Sequence, residues 1–513
     1  MNKRLQRLRI SSQFFFILFF FFLLLQSGGA DVARLPFTGF FFYLDPLFLW
    51  VSLTSGPLLH AFLFALIPLA LTVVLGRFFC GWVCPFGGLN QFFTWLARRG
   101  PRRKNGAHLR SLRLKYILLL ALIVASLFGA QWLGWLDPFS LITRSGAVTL
   151  IPGMNFIAER SLAVGAGEHG LAKLVKPLYT FAREHVLTLK QRTFQEPELI
   201  AVLFFLILGL NFWRRRFFCN TLCPLGALYG FLSRQALIRL QTTDACRRCN
   251  ACAANCTYYG SPYQDYLKSE CLLCFNCLTD CRDNAIRVRF GWPSRLQREG
   301  VDVGRRRLIG SAAVGLAVAA VPGLGIRRRS KSRPFIRPPG SQAERDFLKR
   351  CLRCGACVQA CPTNAIQPAV FQAGLEGMWT PVLVPLNGYC EYECFRCTQV
   401  CPTHAIARLT LEEKKRFKIG TAVIDRSACY TYADGYNCAV CEEHCPVPDK
   451  AIKFRKAEVS NYKGQLRIVK QIYVDPKLCI GCGICENVCP RIDAPAIKVS
   501  AEEEQRETDL LTF

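Results

Sequence analysis

The chain has 513 residues, of which 39 are Phe and 28 are Cys, and carries a formal net charge of +29. Its mean hydropathy is nevertheless positive, which excludes a disordered chain and a simple soluble domain and fits apolar spans flanked by basic loops. The length and the rigid cysteine spacing exclude a small secreted disulfide scaffold, and basic runs that abut apolar stretches argue against a nucleic-acid partner.

The first apolar run covers about residues 10–30, behind a basic N-terminus. A signal peptide cleaved near residues 27–30 competes with a retained span; the span is favoured because the chain continues as a membrane domain. Three more spans are expected at 58–74, 116–135 and 199–213. The loop 77–115 holds nine Lys/Arg and no Asp/Glu, so it reads as cytoplasmic, whereas 134–197 holds seven against five and reads as outer. The N-terminus is then cytoplasmic and the spans alternate from there.

An internal repeat runs through this region. Arg77-Phe-Phe-Cys80-Gly-Trp-Val-Cys84-Pro parallels Arg216-Phe-Phe-Cys219-Asn-Thr-Leu-Cys223-Pro, and Leu44-Asp45-Pro46 parallels Leu136-Asp137-Pro138. Two parallel repeats about an axis along the membrane normal account for this, with both cysteine pairs inside and both aspartates outside. Cys80, Cys84, Cys219 and Cys223 are candidates for a metal centre or for redox-cycling thiols; the bland alternative is small packing residues. Asp45 and Asp137 are weak candidates for proton acceptors, and helix capping by Asp-Pro is the favoured role for both. His60 has no second intramembrane histidine to pair with for haem.

Beyond residue 240 the cysteines fall into six quartets. Cys246, Cys249, Cys252 and Cys256 have the spacing C-x2-C-x2-C-x3-C, as do Cys271, Cys274, Cys277 and Cys281, then Cys351, Cys354, Cys357 and Cys361, and finally Cys479, Cys482, Cys485 and Cys489. Two variants are Cys390, Cys394, Cys397 and Cys401, and Cys429, Cys438, Cys441 and Cys445. Three thiolates on a tight loop serve three irons of one cube, and the fourth points to a neighbouring cube, so the spacing predicts six [4Fe–4S] clusters in pairs. Structural zinc wants two Cys pairs across a longer loop. The first two quartets are expected to exchange Cys256 and Cys281. The last four are expected to nest, with Cys489 joining the Cys351 loop, Cys361 the Cys479 loop, and the two variants exchanging Cys401 and Cys445. No nucleotide-binding or haem-attachment motif accompanies them.

Between these groups, Arg305-Arg-Arg precedes a mildly apolar, small-residue stretch, which reads as a twin-arginine signal or a fifth span. The basic run that follows it, from Arg327 to Arg337, opposes the positive-inside bias, and a Pro-rich tether at 334–339 leads onward. The expected organisation is a four-span α-helical membrane domain at 1–240 and a cytoplasmic two-cluster domain at 241–300. The signal or span with its linker follows at 301–345, and a four-cluster domain at 346–513. The soluble parts are expected to be small α+β modules of the bacterial-ferredoxin kind.

These residues resemble a known pair. The part up to about residue 300 looks like NapH, with its spans, two Cys-x3-Cys-Pro motifs and two cluster motifs, and the part from about Arg305 looks like NapG; MauN and MauM share the patterns. Here the two are fused. The resemblance implies a bacterial inner-membrane electron carrier, or quinol dehydrogenase component. It would relay electrons between the quinol pool and a periplasmic oxidoreductase such as nitrate reductase, or a c-type cytochrome, with the four-cluster domain periplasmic. Two alternatives remain: electron donation for metalloenzyme maturation, as in the NosR and CcoG relatives, or a wholly cytoplasmic ferredoxin–quinone link.

Overall fold

The computed structural model describes residues 2–28, 39–56, 60–97, 106–167, 192–254, 256–258, 262–263, 266–291, 304–326, 335–460, 466–491 and 494–507, together with positions 177 and 180. They form two compact units: residues 1–25, 37–145 and 198–321 make one, and 26–36, 146–197 and 322–513 the other.

The first unit is helical. Its opening helix, Asn2–Gln26, is rich in Phe and Leu, and its Lys3–Gln26 stretch is the one helix among the described residues long and apolar enough to cross a membrane. The expected second and fourth spans appear as His60–Leu75 and Pro197–Phe212. Both fall short of the roughly 20 residues a straight crossing needs, and each includes a tight 3-10 segment, His60–Ala65 and Leu210–Phe212. The expected third span lies earlier than the hydropathy placed it, at Gly106–Leu127. It cannot run on to residue 135, because Gly129 adopts a left-handed conformation at φ +87° and the separate helix Leu133–Leu136 follows. Among the described residues, one helix has the length and hydropathy of a full crossing.

The internal repeat is structural. In each copy a five-residue helix, Phe78–Trp82 or Phe217–Thr221, leads into a longer helix, Pro85–Leu96 or Pro224–Leu232. Cysteine caps both longer helices and proline occupies their first turn, where its missing N–H costs nothing. Cys84 Sγ accepts from the Gly87 N–H at 3.3 Å, and Cys223 Sγ from the Gly226 N–H at 3.2 Å. The Leu-Asp-Pro elements use the same device. Asp45 caps Pro46–Ser55 through the Leu47 N–H at 2.8 Å, and Asp137 accepts from the Ser140 N–H at 2.7 Å at the start of Pro138–Ser145.

An antiparallel ribbon, Ile238–Thr242 with Ile286–Phe290, closes the next module, with Leu240 opposite Val288. Leu240, Tyr258, Leu273, Leu278 and Ile286 form its core together with the cysteines. The twin-arginine segment is a helix, Arg305–Ile326. A Cβ at Gly315 would come within 2.6 Å of the Ala121 carbonyl oxygen, so this helix lies tightly against Gly106–Leu127. Residues 327–334, with most of the basic run, lie outside the described residues.

The second unit is built from loops held by three two-stranded antiparallel ribbons: Ile366–Pro368 with Pro381–Leu383, Thr421–Ile424 with Ile497–Ser500, and Ile452–Ser460 with Leu466–Val474. Segments 26–36 and 146–197, from the other half of the sequence, belong to this unit. Arg192 donates to the Gln359 carbonyl at 2.7 Å, and the Gln195 N–H donates to Gln367 Oε1 at 3.1 Å.

Candidate metal centres

None of the 28 cysteines is in a disulfide, so no quartet is tied up in S–S bonds. The four regular quartets share a backbone pattern that spacing alone does not disclose. The residue before the second cysteine and the residue after it are both left-handed. These are Arg248 and Asn250, Leu273 and Phe275, Arg353 and Gly355, and Gly481 and Gly483. Alternating such conformations turns successive N–H groups to one side, making a concave nest for an anion. An iron–sulfur cube with four thiolates carries net negative charge, so the loop fits it. Burial pushes the Cys482 and Cys441 thiols up to about 12 and Cys390 up to about 11; cluster insertion therefore has to displace their protons. Among the described residues no group of three or more Cys, His, Asp or Glu side chains is placed to hold a single metal ion. A cube distributes its ligands over separate irons and needs no such convergence.

The pairing differs from the nested expectation. Cys351 and Cys357 lie in the field of Cys401, and Cys390, Cys394 and Cys397 in the field of Cys361. Cys441 faces Cys489, and Cys482 faces Cys445. Adjacent quartets thus exchange their fourth cysteines. The reason is packing: the short helices Ala356–Ala360 and Arg396–Val400 lie together, as do Val440–Glu443 and Ile484–Asn487. The two pairs also adjoin, because the Cys390 N–H donates to the Cys482 carbonyl at 2.9 Å. The order through the unit is the Cys351 site, the Cys390 site, the Cys479 site and the Cys429 site.

In the first unit, Cys277 lies in the field of Cys256, as the exchange of fourth cysteines requires. Each repeat docks one of its two cluster loops. In the first repeat, Trp82 Nε1 donates to the Leu273 carbonyl at 3.2 Å. A Cβ at Gly81 would sit 2.4 Å from the Leu272 carbonyl, so only glycine allows this approach. In the second repeat, Asn220 Nδ2 donates to the Thr257 carbonyl at 3.0 Å, and Arg215 Nη1 binds the Ala254 carbonyl. Glu270, next to Cys271, is fully buried and pairs with Arg77 at 2.9 Å and with Lys115; Tyr116 also donates to it, at 2.8 Å. Sequence reasoning passed over Glu270, Arg77 and Arg216. The only available signal was the arginine three residues before each Cys-x3-Cys.

The four repeat cysteines are brought together. Cys84 and Cys219 lie in the field of Cys80, and Cys223 in the fields of Cys80, Cys84 and Cys219. The repeats cross-brace this site: Arg216 Nη2 donates to the Cys80 carbonyl at 3.0 Å and to the Gly87 carbonyl at 2.5 Å. The aspartates do not line an open outer face. Asp45 and Asp137 are 0% and 1% exposed, face one another, and Asp45 lies in the field of Cys80. Capping accounts for one oxygen of each. His60 stands at the start of a 3-10 turn.

A 4Fe-4S binding domain model matches residues 58–104 and 197–241, stretches whose cysteines are Cys80, Cys84, Cys219 and Cys223. A second 4Fe-4S binding domain model matches 347–367, and a 4Fe-4S dicluster domain model matches 436–492, which takes in Cys438, Cys441, Cys445 and the Cys479 quartet but not Cys429. The chain is 36% identical over 206 residues to the ferredoxin-type protein NapG of Escherichia coli, covering 38% of this chain and 85% of that protein. It is 34% identical over 202 residues to the methylamine utilization ferredoxin-type protein MauM of Methylobacillus flagellatus, covering 38% and 80%. To the ferredoxin-type protein NapH of Escherichia coli it is 28% identical over 266 residues, covering 49% and 76%. No solved structure matches the chain. With adjacent quartets paired and these relatives together, the chain belongs to the NapG–MauM family of ferredoxin-type iron–sulfur proteins, joined in one polypeptide to a NapH-like part.

Proposed function

We propose that this chain is a membrane-bound electron carrier that takes electrons from the quinol pool and passes them to an oxidoreductase outside the membrane, of the nitrate reductase kind, or to a c-type cytochrome. The observation that carries the reading is the docking of one cluster loop on each Cys-x3-Cys-Pro repeat, which sets the cysteines of the first unit in a continuous series. Oxidation of a hydroquinone releases two electrons and two protons. Bound cubes supply one-electron couples, six of them at the quartets and a further one at Cys80, Cys84, Cys219 and Cys223. The protein's part is to hold the thiolates, line the loops with N–H groups and exclude water by burial.

Membrane attachment is supported by the apolar helix Lys3–Gln26 and by apolar side chains exposed along several helices of the first unit, among them Phe14, Ile67, Val202 and Ile309. Unit composition supports the expected sidedness. The segment 146–197, part of the loop whose charge balance reads as outer, shares a unit with the four-cluster region, whereas the basic inner loop and the two-cluster module belong to the first unit. The four-cluster region is then periplasmic and the two-cluster module cytoplasmic. EPR of protein purified without oxygen and titrated with a quinol analogue tests the reading. Reduction of cluster signals by quinol is the expected result, and full iron content with no reducible signal would defeat it.

A further inference from the structure

A cleft of about 760 Å³ opens within the first unit, between the N-terminal half of the helix Asn2–Gln26, the helix Pro85–Leu96 and the cluster loops. Its rim is apolar and exposed, with Phe14, Phe92 and Trp95. Its floor is polar. Arg9 is 2% exposed, yet its Nε and Nη1 have no hydrogen-bond partner, and buried Gln91 Oε1 accepts from nothing. Buried groups of this kind cost stability unless something satisfies them. The cleft also adjoins the cluster loops, with Thr257, next to Cys256, in its lining. Arg9 lies in the field of Cys274, and Asn276 and Asp280, immediately before Cys277 and Cys281, line the cleft. The first helix is stitched in place there: Gln13 Nε2 donates to the Gly81 carbonyl at 2.8 Å, and Gln6 Nε2 to Asn276 Oδ1 at 3.2 Å.

The floor offers unsatisfied donors on Arg9 and an unsatisfied acceptor on Gln91, behind an apolar mouth. A ligand that matches carries both an acceptor and a donor on a compact polar head, with an apolar tail. A lipid phosphate supplies only acceptors and would meet Gln91 Oε1 and the Asp280 carboxylate unfavourably. We propose that this cleft binds the head group of a membrane quinone, with Arg9 donating to a quinone oxygen and Gln91 accepting from a hydroquinone O–H. The inference rests on the quinol reading above and adds to it a location: the end of the membrane unit where the cluster loops dock.

The test uses the full-length protein, isolated without oxygen and placed in phosphatidylcholine nanodiscs. A photoreactive azidoquinone should label the stretch 88–95, and decylubiquinone should compete. Arg9→Gln and, separately, Gln91→Leu should each weaken that competition by about tenfold or more, the cost of a lost charged or buried hydrogen bond. Iron content and cluster EPR signals should stay unchanged, and Arg9→Lys should restore part of the binding. Labelling elsewhere, or wild-type competition in both variants with full iron content, overturns the site. So does displacement of the probe by phosphatidylglycerol, which would assign the cleft to an anionic lipid. Bound quinone that reduces no cluster would sustain the site and defeat the electron-carrier reading instead.

Discussion

At the scale of single residues, the buried ion pairs have more effect than their number suggests. In the four-cluster region, burial alone would raise the Glu344 carboxyl, but Arg337 at 2.7 Å and Arg506 beside it outweigh this and hold it at about 2, from an ordinary 4.5. A carboxyl lowered on folding stabilises the fold above the unfolded value, and that contribution disappears as pH falls through the folded one. The shift corresponds to about 3 kcal/mol. Glu344→Gln should therefore lower the anaerobic unfolding midpoint at pH 7, by less and less as the pH drops below about 4.5. An equal deficit at pH 3.5 and pH 7 would show that the carboxylate's charge is not what matters. In the first unit, Glu270→Ala would leave Arg77 and Lys115 buried without their counter-charge, a loss of about 3–5 kcal/mol. We expect such a variant to accumulate poorly and to lose iron from the Cys271 loop first, as measured by iron content and EPR against a neighbouring surface variant.

At the scale of elements, the chemistry resides in loops and caps rather than in long helices or sheets. Gly81 shows how narrow the tolerance is: any side chain there meets the Leu272 carbonyl. Gly81→Ala should detach the second cluster loop from its repeat while leaving the four-cluster region unaffected, which limited proteolysis of the intact protein would reveal as new cleavage near residues 268–275. The exchange between adjacent quartets gives a sharper test. Because Cys361 faces Cys390, Cys394 and Cys397, Cys361→Ser should damage the cluster of those three cysteines. A lesion confined to the site of Cys351, Cys354 and Cys357 would restore a self-contained quartet. The spacing showed that fourth cysteines are exchanged, but not with which partner, because that depends on how short helices such as Ala356–Ala360 and Arg396–Val400 pack.

At the scale of the whole molecule, sidedness is the main expectation to check. A reporter fused after residue 340 should report a periplasmic location, and cytoplasmic activity there would favour the ferredoxin–quinone alternative. Much of the architecture was legible beforehand. The internal repeat and the division of the cysteines between two regions follow from spacing, because the reach of a tight loop leaves little choice. Asp45 and Asp137 as caps follow from the fixed φ of the proline after each. Span lengths did not follow: hydropathy registers apolar runs, but not where the backbone begins and ends a helix, as at His60–Leu75 and Pro197–Phe212.

What the linear chain determined by itself is therefore local chemistry: which thiols act in fours, where helices begin, and which loops are basic. Only tertiary structure decided which fourth cysteine joins which loop, that Asp45 and Asp137 meet in the interior, and that Arg9 and Gln91 line one cleft. Ligand spacing is set within a few residues of backbone. Partner choice and burial depend on contacts between segments far apart in the sequence, whose energies no local pattern encodes.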